Sequence, residues 1–284
     1  MRMPSQDLTD WLGNSEERHD QIVAFPANAL SATLNHDTQY VDGSSLPPLW
    51  HWLYFLPIYR LDQANYDGHA ALGGFLPPVK LPRRMWAGSR VSFLNDLVLG
   101  AQARKVSIIK SIQQKSGTSG DLVFVTVAHQ VFQHETCCIE EEHDIVYRSA
   151  PDKNAMAPVY KTSETLPDFS YAVNPDPVLL FRYSALTFNG HRIHYDQPFC
   201  IETEGYEGLV VHGPLLATLM LDLVRQNFPD AAIKYFQFRA LAPVFDTMKF
   251  EVCGRQTSPS EVEIWIRRDD GVLAMSGSAN LSRP

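Results

Sequence analysis

The clearest helix pattern in the sequence is followed directly by four strand patterns. Pro214–Gln226 (PLLATLMLDLVRQ) places six apolar side chains at i, i+1, i+4, i+5, i+8 and i+9, so they share one broad face of a helix. Further along, Val262, Ile264 and Ile266 alternate with other residues, which is typical of a sheet with one covered face. We therefore predict a sheet curled around this helix. Its strands are expected at Ile233–Leu241, Thr247–Gly254, Glu261–Arg268 and Val272–Leu281.

The first half of the chain has a similar succession of patterns. Four segments within Arg90–Tyr147 indicate strands, and Ser116–Asp121 (SGTSGD) indicates a turn between two of them. Upstream, we expect a helix at Thr9–Ile22. We also expect a short buried helix within Leu46–Tyr59, between the prolines of that segment, because proline suits a first turn and breaks a helix interior. Gly73–Trp86 has too many prolines for a regular element, so we expect an extended loop there.

A weak internal repeat indicates duplication of one unit. The pattern Phe-x-x-x-Leu-x-Leu at Phe93 precedes the pattern Phe-x-x-x-Ala-x-Val at Phe238 by 145 residues, about half of the 284-residue chain. We therefore predict an α+β fold made of two similar units, the second of which begins with a short helix at Pro177–Leu186. The expected bounds are 1–150 for the first unit, 151–175 for a linker and 176–284 for the second unit.

Charge and cysteine content exclude several classes of function. With 24 Lys and Arg against 32 Asp and Glu, the net charge is −8, which does not suit tight binding to nucleic acid. No apolar run reaches the roughly 20 residues of a membrane span, and Met1–Asp10 lacks the apolar stretch of a signal peptide. Four cysteines without a C-x-x-C pattern make a structural zinc site improbable. We therefore expect a cytoplasmic protein without nucleic-acid or membrane partners.

The densest group of polar side chains is Arg182–Asp196 (RYSALTFNGHRIHYD). One interpretation is a solvated loop in which the histidines cap backbone groups. A second is a metal site at His191 and His194, although a good third ligand is missing nearby. A third is acid–base catalysis by a histidine, because the pKa of histidine lies near neutral pH. The residues alone leave these three interpretations open.

A second signal is Gly208–Pro214 (GLVVHGP), which leads into the apolar helix. The N–H groups in the first turn of a helix have no intrahelical partner. Together with the helix dipole, they can stabilise negative charge that develops on a carbonyl oxygen. An ordinary helix start has the same residues, so this signal alone is weak.

Together, these two segments resemble the signature of the MaoC-like enoyl-CoA hydratases and acyl-carrier dehydratases. The matching residues are ALTFNGHRIH at 185–194 and VVHGP at 210–214. In the first half, GGFLPPVKLPRRMWAGSRVSF, SGTSGDLVFVTVAHQ and EEHDIVYR resemble the non-catalytic first unit of the fused, double-hotdog branch of that family. The resemblance covers roughly residues 40–284 and implies a double hotdog fold, in which each of two antiparallel sheets wraps around a helix.

The resemblance also implies roles for individual residues. His194 matches the motif histidine that acts as acid–base, and Gly213 matches the glycine of the oxyanion hole. Asn189 stands where the family has aspartate; because an amide cannot accept a proton, we expect Asn189 to orient the water. The candidates to supplement His194 as acid–base groups are His191, Tyr195, Asp196 and a residue of the first half.

The branch of closest resemblance hydrates C5 dicarboxylic thioesters. It implies reversible hydration of itaconyl-CoA or mesaconyl-C4-CoA to citramalyl-CoA, in itaconate degradation. A carboxylate in an apolar tunnel is costly, and arginine pairs with it in a bidentate manner. We expect Arg192 to bind that carboxylate because it lies inside the motif. The further expected substrate-binding residues are His191, Tyr195, His212, Arg182 and Arg84.

Two alternatives to this function remain. They are a 3-hydroxyacyl-thioester dehydratase of fatty-acid metabolism and a non-catalytic acyl-CoA-binding protein, since the motif aspartate is missing. In either case the expected partner is an acyl-CoA or acyl-carrier thioester. We expect no metal and no cofactor beyond the CoA of the substrate, and a homodimer of double-hotdog protomers is possible.

Overall fold

The computed structural model describes residues 7–117, 120–149 and 159–282. Within these residues the chain forms three α-helices and ten β-strands. The helices are α1 (Ala24–Thr33), α2 (Pro177–Leu186) and α3 (Gly213–Asn227), and none of the three is long and apolar enough to cross a bilayer. The strands are β1 (Ser15–Gln21), β2 (Arg83–Phe93), β3 (Gln102–Gly117), β4 (Gly120–Gln133), β5 (Thr136–Arg148), β6 (Phe169–Val173), β7 (Ala232–Ala240), β8 (Phe250–Ser258), β9 (Glu261–Arg268) and β10 (Leu273–Ser282).

All ten strands belong to one antiparallel sheet. Its order is β1-β3-β4-β5-β2-β7-β10-β9-β8-β6, so the two halves of the chain meet at the pair β2–β7. From one edge, the N-terminal strands follow the order β1-β3-β4-β5-β2. From the other edge, the C-terminal strands follow the order β6-β8-β9-β10-β7, so each N-terminal strand has an equivalent whose number is higher by five. This is the arrangement expected of two copies of one unit joined edge to edge. The predicted α+β fold with two similar halves is therefore confirmed.

Equivalent backbone bridges occur in the two halves. Ser45 forms an isolated bridge with Val98, and Val210 forms the corresponding bridge with Phe245. Phe245 follows Val98 by 147 residues, two more than the offset of the sequence pattern. In the C-terminal half, this bridge lies directly before α3 and fixes where that helix begins.

Helix α3 occupies the centre of the C-terminal half. Ten of its fifteen residues are buried, and it packs against β6, β8 and β9. Burial of a leucine or methionine side chain contributes about 1.5–3 kcal/mol to stability. The apolar face predicted for Pro214–Gln226 therefore stabilises the packing of α3 against the sheet. The sheet therefore curls around α3 as expected.

One local prediction in the N-terminal half is wrong, and a second is confirmed only in part. The helix expected at Thr9–Ile22 is instead largely strand β1, which pairs with Gln102–Ile108 of β3. Side chains of β1 alternate between exposed and half-buried, and pairing with the sheet edge outweighs a weak helical preference. The short helix expected within Leu46–Tyr59 is a single 3-10 turn, Trp50–Leu53.

Two segments expected to lack regular structure contain strand residues. The extended loop expected at Gly73–Trp86 ends earlier, because β2 begins at Arg83. Within the expected linker, Phe169–Val173 forms β6 and pairs with β8, whereas residues 151–158 lie outside the described residues. The bounds of the two units remain a prediction.

A buried carboxylate lies inside the N-terminal half. Glu141 on β5 is 5% exposed. Burial alone would raise the pKa of Glu141, but the charge and hydrogen bonds of neighbouring histidines outweigh it and hold this pKa well below its usual range. Glu141 is therefore ionised and joins β2, β5 and the 3-10 turn. Its carboxylate lies 2.6–3.1 Å from side-chain donors of His51, Trp52, Ser89 and His143.

Replacement of Glu141 should destabilise the fold strongly. Glu141→Ala removes the shared acceptor of His51, Trp52 and Ser89 and the ion-pair partner of His143, so we expect the free energy of unfolding to fall by about 3–5 kcal/mol. Glu140→Ala is the matched control, because the adjacent Glu140 is exposed and should change stability by no more than about 0.5 kcal/mol. Urea unfolding of both variants measures the difference. Equal stability of the two variants would contradict this account.

Candidate active site

The histidine-containing loop begins where α2 ends. Asp176 caps the start of α2, since its side chain accepts a hydrogen bond of 2.7 Å from a backbone N–H of the first turn. After the helix, Phe188 adopts a φ of +49°, and Asn189 Oδ1 accepts a hydrogen bond from the backbone N–H of His191 (3.0 Å). This tight turn leads into a 3-10 turn at Arg192–His194, which directs the last histidine into the interior.

Two hydrogen bonds hold His194 against the segment before α3. The N–H of Val210 donates to the carbonyl oxygen of Ile193 (2.9 Å), and Nδ1 of His194 lies 2.7 Å from the carbonyl oxygen of Val210. A carbonyl oxygen only accepts, so Nδ1 carries the hydrogen and Nε2 keeps its lone pair. Burial lowers the pKa of His194 to about 4, although the bond to Val210 opposes this shift. At neutral pH, His194 is therefore uncharged and has a basic nitrogen.

His212 supports the ring of His194. The two imidazole rings are stacked, with centroids 3.6 Å apart and planes inclined by 17°. Nε2 of His212 hydrogen-bonds with Oγ of Ser184 at 2.8 Å, and the side chain is completely buried. Burial, followed by the charges of His194 and His191, holds the pKa of His212 well below its usual range. This position brings His212 into direct contact with His194, and its expected contact with substrate remains a prediction.

Gly213 is the first residue of α3. Its N–H belongs to the turn that has no intrahelical acceptors, and the positive end of a fifteen-residue helix lies there. Apart from its chain neighbours and the backbone of α3, no described residue has an atom within 4 Å of the place where a Cβ of Gly213 would stand. The space beside this backbone is therefore open, which suits the oxyanion role implied by the sequence.

A hairpin of the N-terminal half lies against the histidine loop. Ala64 forms a bridge with Ala70, and the N–H of Asn65 donates to the carbonyl oxygen of His69 (2.6 Å). We call residues 64–70 the docking hairpin. It belongs to the long connection between the 3-10 turn Trp50–Leu53 and β2.

Two glycines let the docking hairpin approach the motif. Gly68 has a φ of +88°, and a Cβ there would overlap the carbonyl oxygen of Gly190. A Cβ on Gly190 would lie 2.6 Å from the carbonyl oxygen of Gly68. The N–H of Arg192 donates to the carbonyl oxygen of Asp67 (2.9 Å), and the Tyr59 hydroxyl donates to that of Gly68 (2.7 Å). The backbones of the two halves are therefore bonded directly beside the candidate catalytic histidine.

The docking hairpin adds two titratable side chains to the histidines of the motif. Oδ2 of Asp67 lies 2.9 Å from Nδ1 of His69, and the His69 ring centroid lies 4.0 Å from that of His191. The His191 ring is in turn 5.5 Å from the ring of His194. Burial, followed by the charges of neighbouring histidines, lowers the pKa of His191. One continuous cluster thus contains groups from both halves of the chain.

The ligand atoms of Asp67, His69 and His191 lie within 4.8 Å of one another, a spacing short enough for a metal ion. The hydrogen bond between Asp67 and His69 occurs both in acid–base pairs and beside metal-bound histidines, so it favours neither use. We interpret the two residues as an acid–base pair. The expectation that the protein holds no metal remains a prediction.

Arg192 already has partners within the motif loop. Its guanidinium pairs with Asp196 at 2.7 Å, donates to the carbonyl oxygen of Tyr66 (3.1 Å) and lies 4.0 Å above the centre of the Phe199 ring. The charge of Arg192 is therefore balanced within the protein. A substrate carboxylate would have to displace Asp196 to bind there.

Arg84 on β2 differs from Arg192 in this respect. Along the parts of the chain that the structure describes, no carboxylate lies within 4 Å of the Arg84 guanidinium, whereas the adjacent Arg83 pairs with Glu204. Arg84 is half-buried. After burial, its positive charge is among the causes that lower the pKa of His69 and that of His191. Arg84 also interacts with the buried hydroxyl of Tyr147, but that group is neutral. The positive charge of Arg84 is therefore not balanced by a carboxylate among the described residues.

The other residues expected to bind substrate lie at the surface. The side chain of Arg182 is exposed on α2. Tyr195 is 48% exposed, and its hydroxyl donates to the carbonyl oxygen of Gly190 (2.9 Å). Tyr195 therefore supports the glycine contact of the loop.

Sequence reasoning missed Asp67 and His69. The signal available for them is the run NYDGH at 65–69, in which Asp-Gly is typical of a tight turn. That signal predicts a turn but not what the turn packs against, because the contact joins residues more than 120 positions apart.

Comparison with known proteins places these features in a family. Residues 49–246 match the family model of hydroxyacyl-thioester dehydratase type 2. The chain is 46% identical to mesaconyl-C(4)-CoA hydratase of Chloroflexus aurantiacus, over 98% of this chain and 99% of the relative. It is 28% identical to the mitochondrial hydroxyacyl-thioester dehydratase type 2 of Schizosaccharomyces pombe, over 88% of this chain and 91% of the relative.

Solved structures support the fold. A MaoC-like dehydratase from Phytophthora capsici superimposes with a TM-score of 0.71 at 13% identity, over 97% of this chain and 99% of that structure. A Mycobacterium tuberculosis protein described as a double hotdog superimposes with a TM-score of 0.60 at 11% identity, over 95% and 96% of the two chains. The predicted double hotdog fold is confirmed.

The glycine contact between the halves should be necessary for activity. Gly68 and Gly43 have φ values of +88° and +89°, so alanine is equally strained at both, but only a Cβ at position 68 meets another backbone. We expect Gly68→Ala to lower kcat/KM by about tenfold or more, since displacement of catalytic groups by about 1 Å can cost 100-fold. Gly43→Ala should stay near wild type. Equal activity of the two variants in a steady-state hydration assay would contradict a role for the contact.

Proposed function

This chain belongs to the hydroxyacyl-thioester dehydratase type 2 family, and from that membership we propose that it reversibly hydrates a C5 dicarboxylic enoyl-CoA to citramalyl-CoA. The proposed substrates are mesaconyl-C4-CoA and itaconyl-CoA. The name of the Chloroflexus relative, together with 46% identity over nearly the whole chain, supports the first of these.

The site fits the chemical demands of hydration. Water adds to Cβ of the conjugated thioester, and electron density moves onto the thioester oxygen. The N–H of Gly213, at the positive end of α3, can stabilise that oxygen, and one such donor commonly contributes about 2.7–4 kcal/mol to lowering the barrier. Nε2 of His194 is a neutral acceptor that can hold or deprotonate the water. Asn189 uses its side-chain oxygen in the turn at His191, so its amide nitrogen remains to orient water or substrate.

The observation that carries the substrate class is the unpaired charge of Arg84. In mesaconyl-C4-CoA the free carboxylate is attached to Cβ, the atom that water attacks. Its counter-charge must therefore lie beside the acid–base groups. The charge of Arg84 acts on both His69 and His191, whereas the guanidinium of Arg192 is paired with Asp196. We therefore assign the distal carboxylate to Arg84 in place of Arg192.

Loss of Arg84 should affect dicarboxylic substrates selectively. A charge-assisted hydrogen bond contributes about 1.5–3 kcal/mol, so Arg84→Gln should lower kcat/KM for mesaconyl-C4-CoA by roughly 10- to 100-fold. Crotonyl-CoA has no distal carboxylate, and its kcat/KM should change by less than about threefold on the same basis. Arg182→Gln is the matched control, because Arg182 is exposed on α2 and should leave both substrates unaffected.

Three results would count against the proposed function or its substrate assignment. Equal losses of kcat/KM for both thioesters in Arg84→Gln would show that Arg84 does not bind the distal carboxylate. Preference of the wild type for crotonyl-CoA or for longer apolar 3-hydroxyacyl thioesters would favour the fatty-acid dehydratase alternative, which the Schizosaccharomyces relative represents. Binding of every thioester without turnover would favour a non-catalytic binding protein.

A further inference from the structure

Hydration of an enoyl thioester needs two proton transfers. A proton leaves the attacking water, and a proton arrives at Cα. The position of the motif aspartate holds Asn189, whose amide can do neither. Tyr195 donates its hydroxyl hydrogen to Gly190, and Asp196 is paired with Arg192. Neither of these residues of the motif loop is therefore free to replace the missing carboxylate.

The docking hairpin, which packs against the motif loop, carries a carboxylate–imidazole pair. Oδ2 of Asp67 lies 2.9 Å from Nδ1 of His69, and Oδ1 accepts the backbone N–H of His69 (3.0 Å). Burial alone would raise the pKa of Asp67, but the hydrogen bonds and charge of His69 outweigh it, so this pKa lies below its usual range and Asp67 is ionised. An ionised carboxylate only accepts, so Nδ1 of His69 carries the hydrogen and Nε2 keeps its lone pair.

Charged and titratable groups of both halves face this pair. The ring of His69 packs against that of His191 at an angle of 38°, and the His191 ring in turn contacts that of His194. Arg84 on β2 and the carboxylate of Asp67 act on His69 in opposite directions: Arg84 disfavours its protonated form, and Asp67 favours it. Any charge on His69 lowers the pKa of His194, after the effects of burial and of the bond to Val210. His69 and His194 therefore titrate as parts of one cluster.

We propose that Asp67 and His69 form the second acid–base group of the site, supplied by the N-terminal half in place of the motif carboxylate. The proposal rests on enoyl-thioester hydration as the proposed function. The water donates one hydrogen bond to Nε2 of His194, which fixes its position. Its other O–H bond breaks, and that proton goes to Nε2 of His69, while the oxygen forms the bond to Cβ.

The remaining step restores the pair. The π electrons of the substrate pass to the thioester oxygen at Gly213. They then return to form a C–H bond at Cα with the proton of the His69 imidazolium, so His69 is neutral again at the end. Asp67 stabilises the imidazolium while it exists, in the manner of the carboxylate in a catalytic triad. No further reactant is needed.

The pairing gives His69 an advantage over the other histidines of the cluster. The side chains of His191 and His194 have no carboxylate partner among the residues that the structure describes, and burial lowers the pKa of both. Burial also lowers the pKa of His69, but the hydrogen bond to Asp67 raises it again in part. A base with a pKa nearer to the working pH is the more effective proton acceptor.

The variants His69→Gln and Asp67→Asn test this assignment. His69→Gln should lower kcat by about 100-fold or more, the usual contribution of a general acid–base group, with KM within about threefold of wild type. Asp67→Asn keeps an acceptor for Nδ1 but removes the charge. Because that charge raises the pKa of His69, its loss should lower the plateau of kcat/KM and move the acid limb of the pH profile to lower pH.

Asp62→Asn is the matched control. Asp62 lies in the same connection, is exposed and pairs only with Arg60 among the described residues, so activity and pH profile should stay at wild-type values. Unfolding midpoints and binding of CoA thioester measure whether each variant retains its fold and substrate affinity. All rates are taken with whichever enoyl-CoA the wild type hydrates, so failure of the dicarboxylate assignment leaves this test intact.

The outcomes decide the proposal directly. A loss of kcat in His69→Gln together with the acid-limb shift in Asp67→Asn supports it. A folded, substrate-binding His69→Gln with near-wild-type kcat overturns it. So does an Asp67→Asn plateau that falls while the acid limb stays in place, since a merely structural role gives that result. Loss of activity with a chelator and recovery with a divalent ion also overturns it, because the cluster would then be a metal centre.

Discussion

Pairing between β2 and β7 is the interaction on which the rest of the structure depends. Five residue pairs, from Gly88–Arg239 to Ser92–Tyr235, join two five-stranded halves into one sheet. Because β2 is fixed there, the start of that strand and the chain before it are held beside the C-terminal half. Arg84 and the docking hairpin both belong to this region. The seam between the halves therefore determines which residues of the N-terminal half can enter the site.

The two halves share a topology but differ in their interiors. The C-terminal half wraps α3, a fifteen-residue helix whose first turn offers Gly213 to the substrate oxygen. At the equivalent place the N-terminal half has only the 3-10 turn Trp50–Leu53, and Glu141 with its histidine partners fills part of the interior. Because this turn is short, a long connection lies between it and β2. That connection forms the docking hairpin, which carries Asp67 and His69 across to the other half.

The features that the sequence predicted are those with local patterns. The strand alternation and the apolar helix α3 can each be recognised within about fifteen residues, and the structure has both where they were expected. The motif positions His194 and Gly213 are equally local, and their catalytic roles remain predictions. The helix at Thr9–Ile22 failed because pairing with β3 decides that segment. The assignment of Arg192 to the substrate depended on its place in the motif. Its partner Asp196, four residues later, binds the guanidinium instead.

In the proposed mechanism, His69 of the first half replaces the carboxylate of the motif, whose position holds Asn189. A double-mutant cycle tests this replacement, with kcat/KM measured for wild type, His69→Gln, Asn189→Asp and the double variant. Aspartate at 189 can keep the turn at His191, since either side chain accepts that N–H. The account predicts coupling: Asn189→Asp raises activity in the His69→Gln background by about tenfold more than in wild type, about 1.4 kcal/mol of interaction. Equal effects in both backgrounds would contradict it.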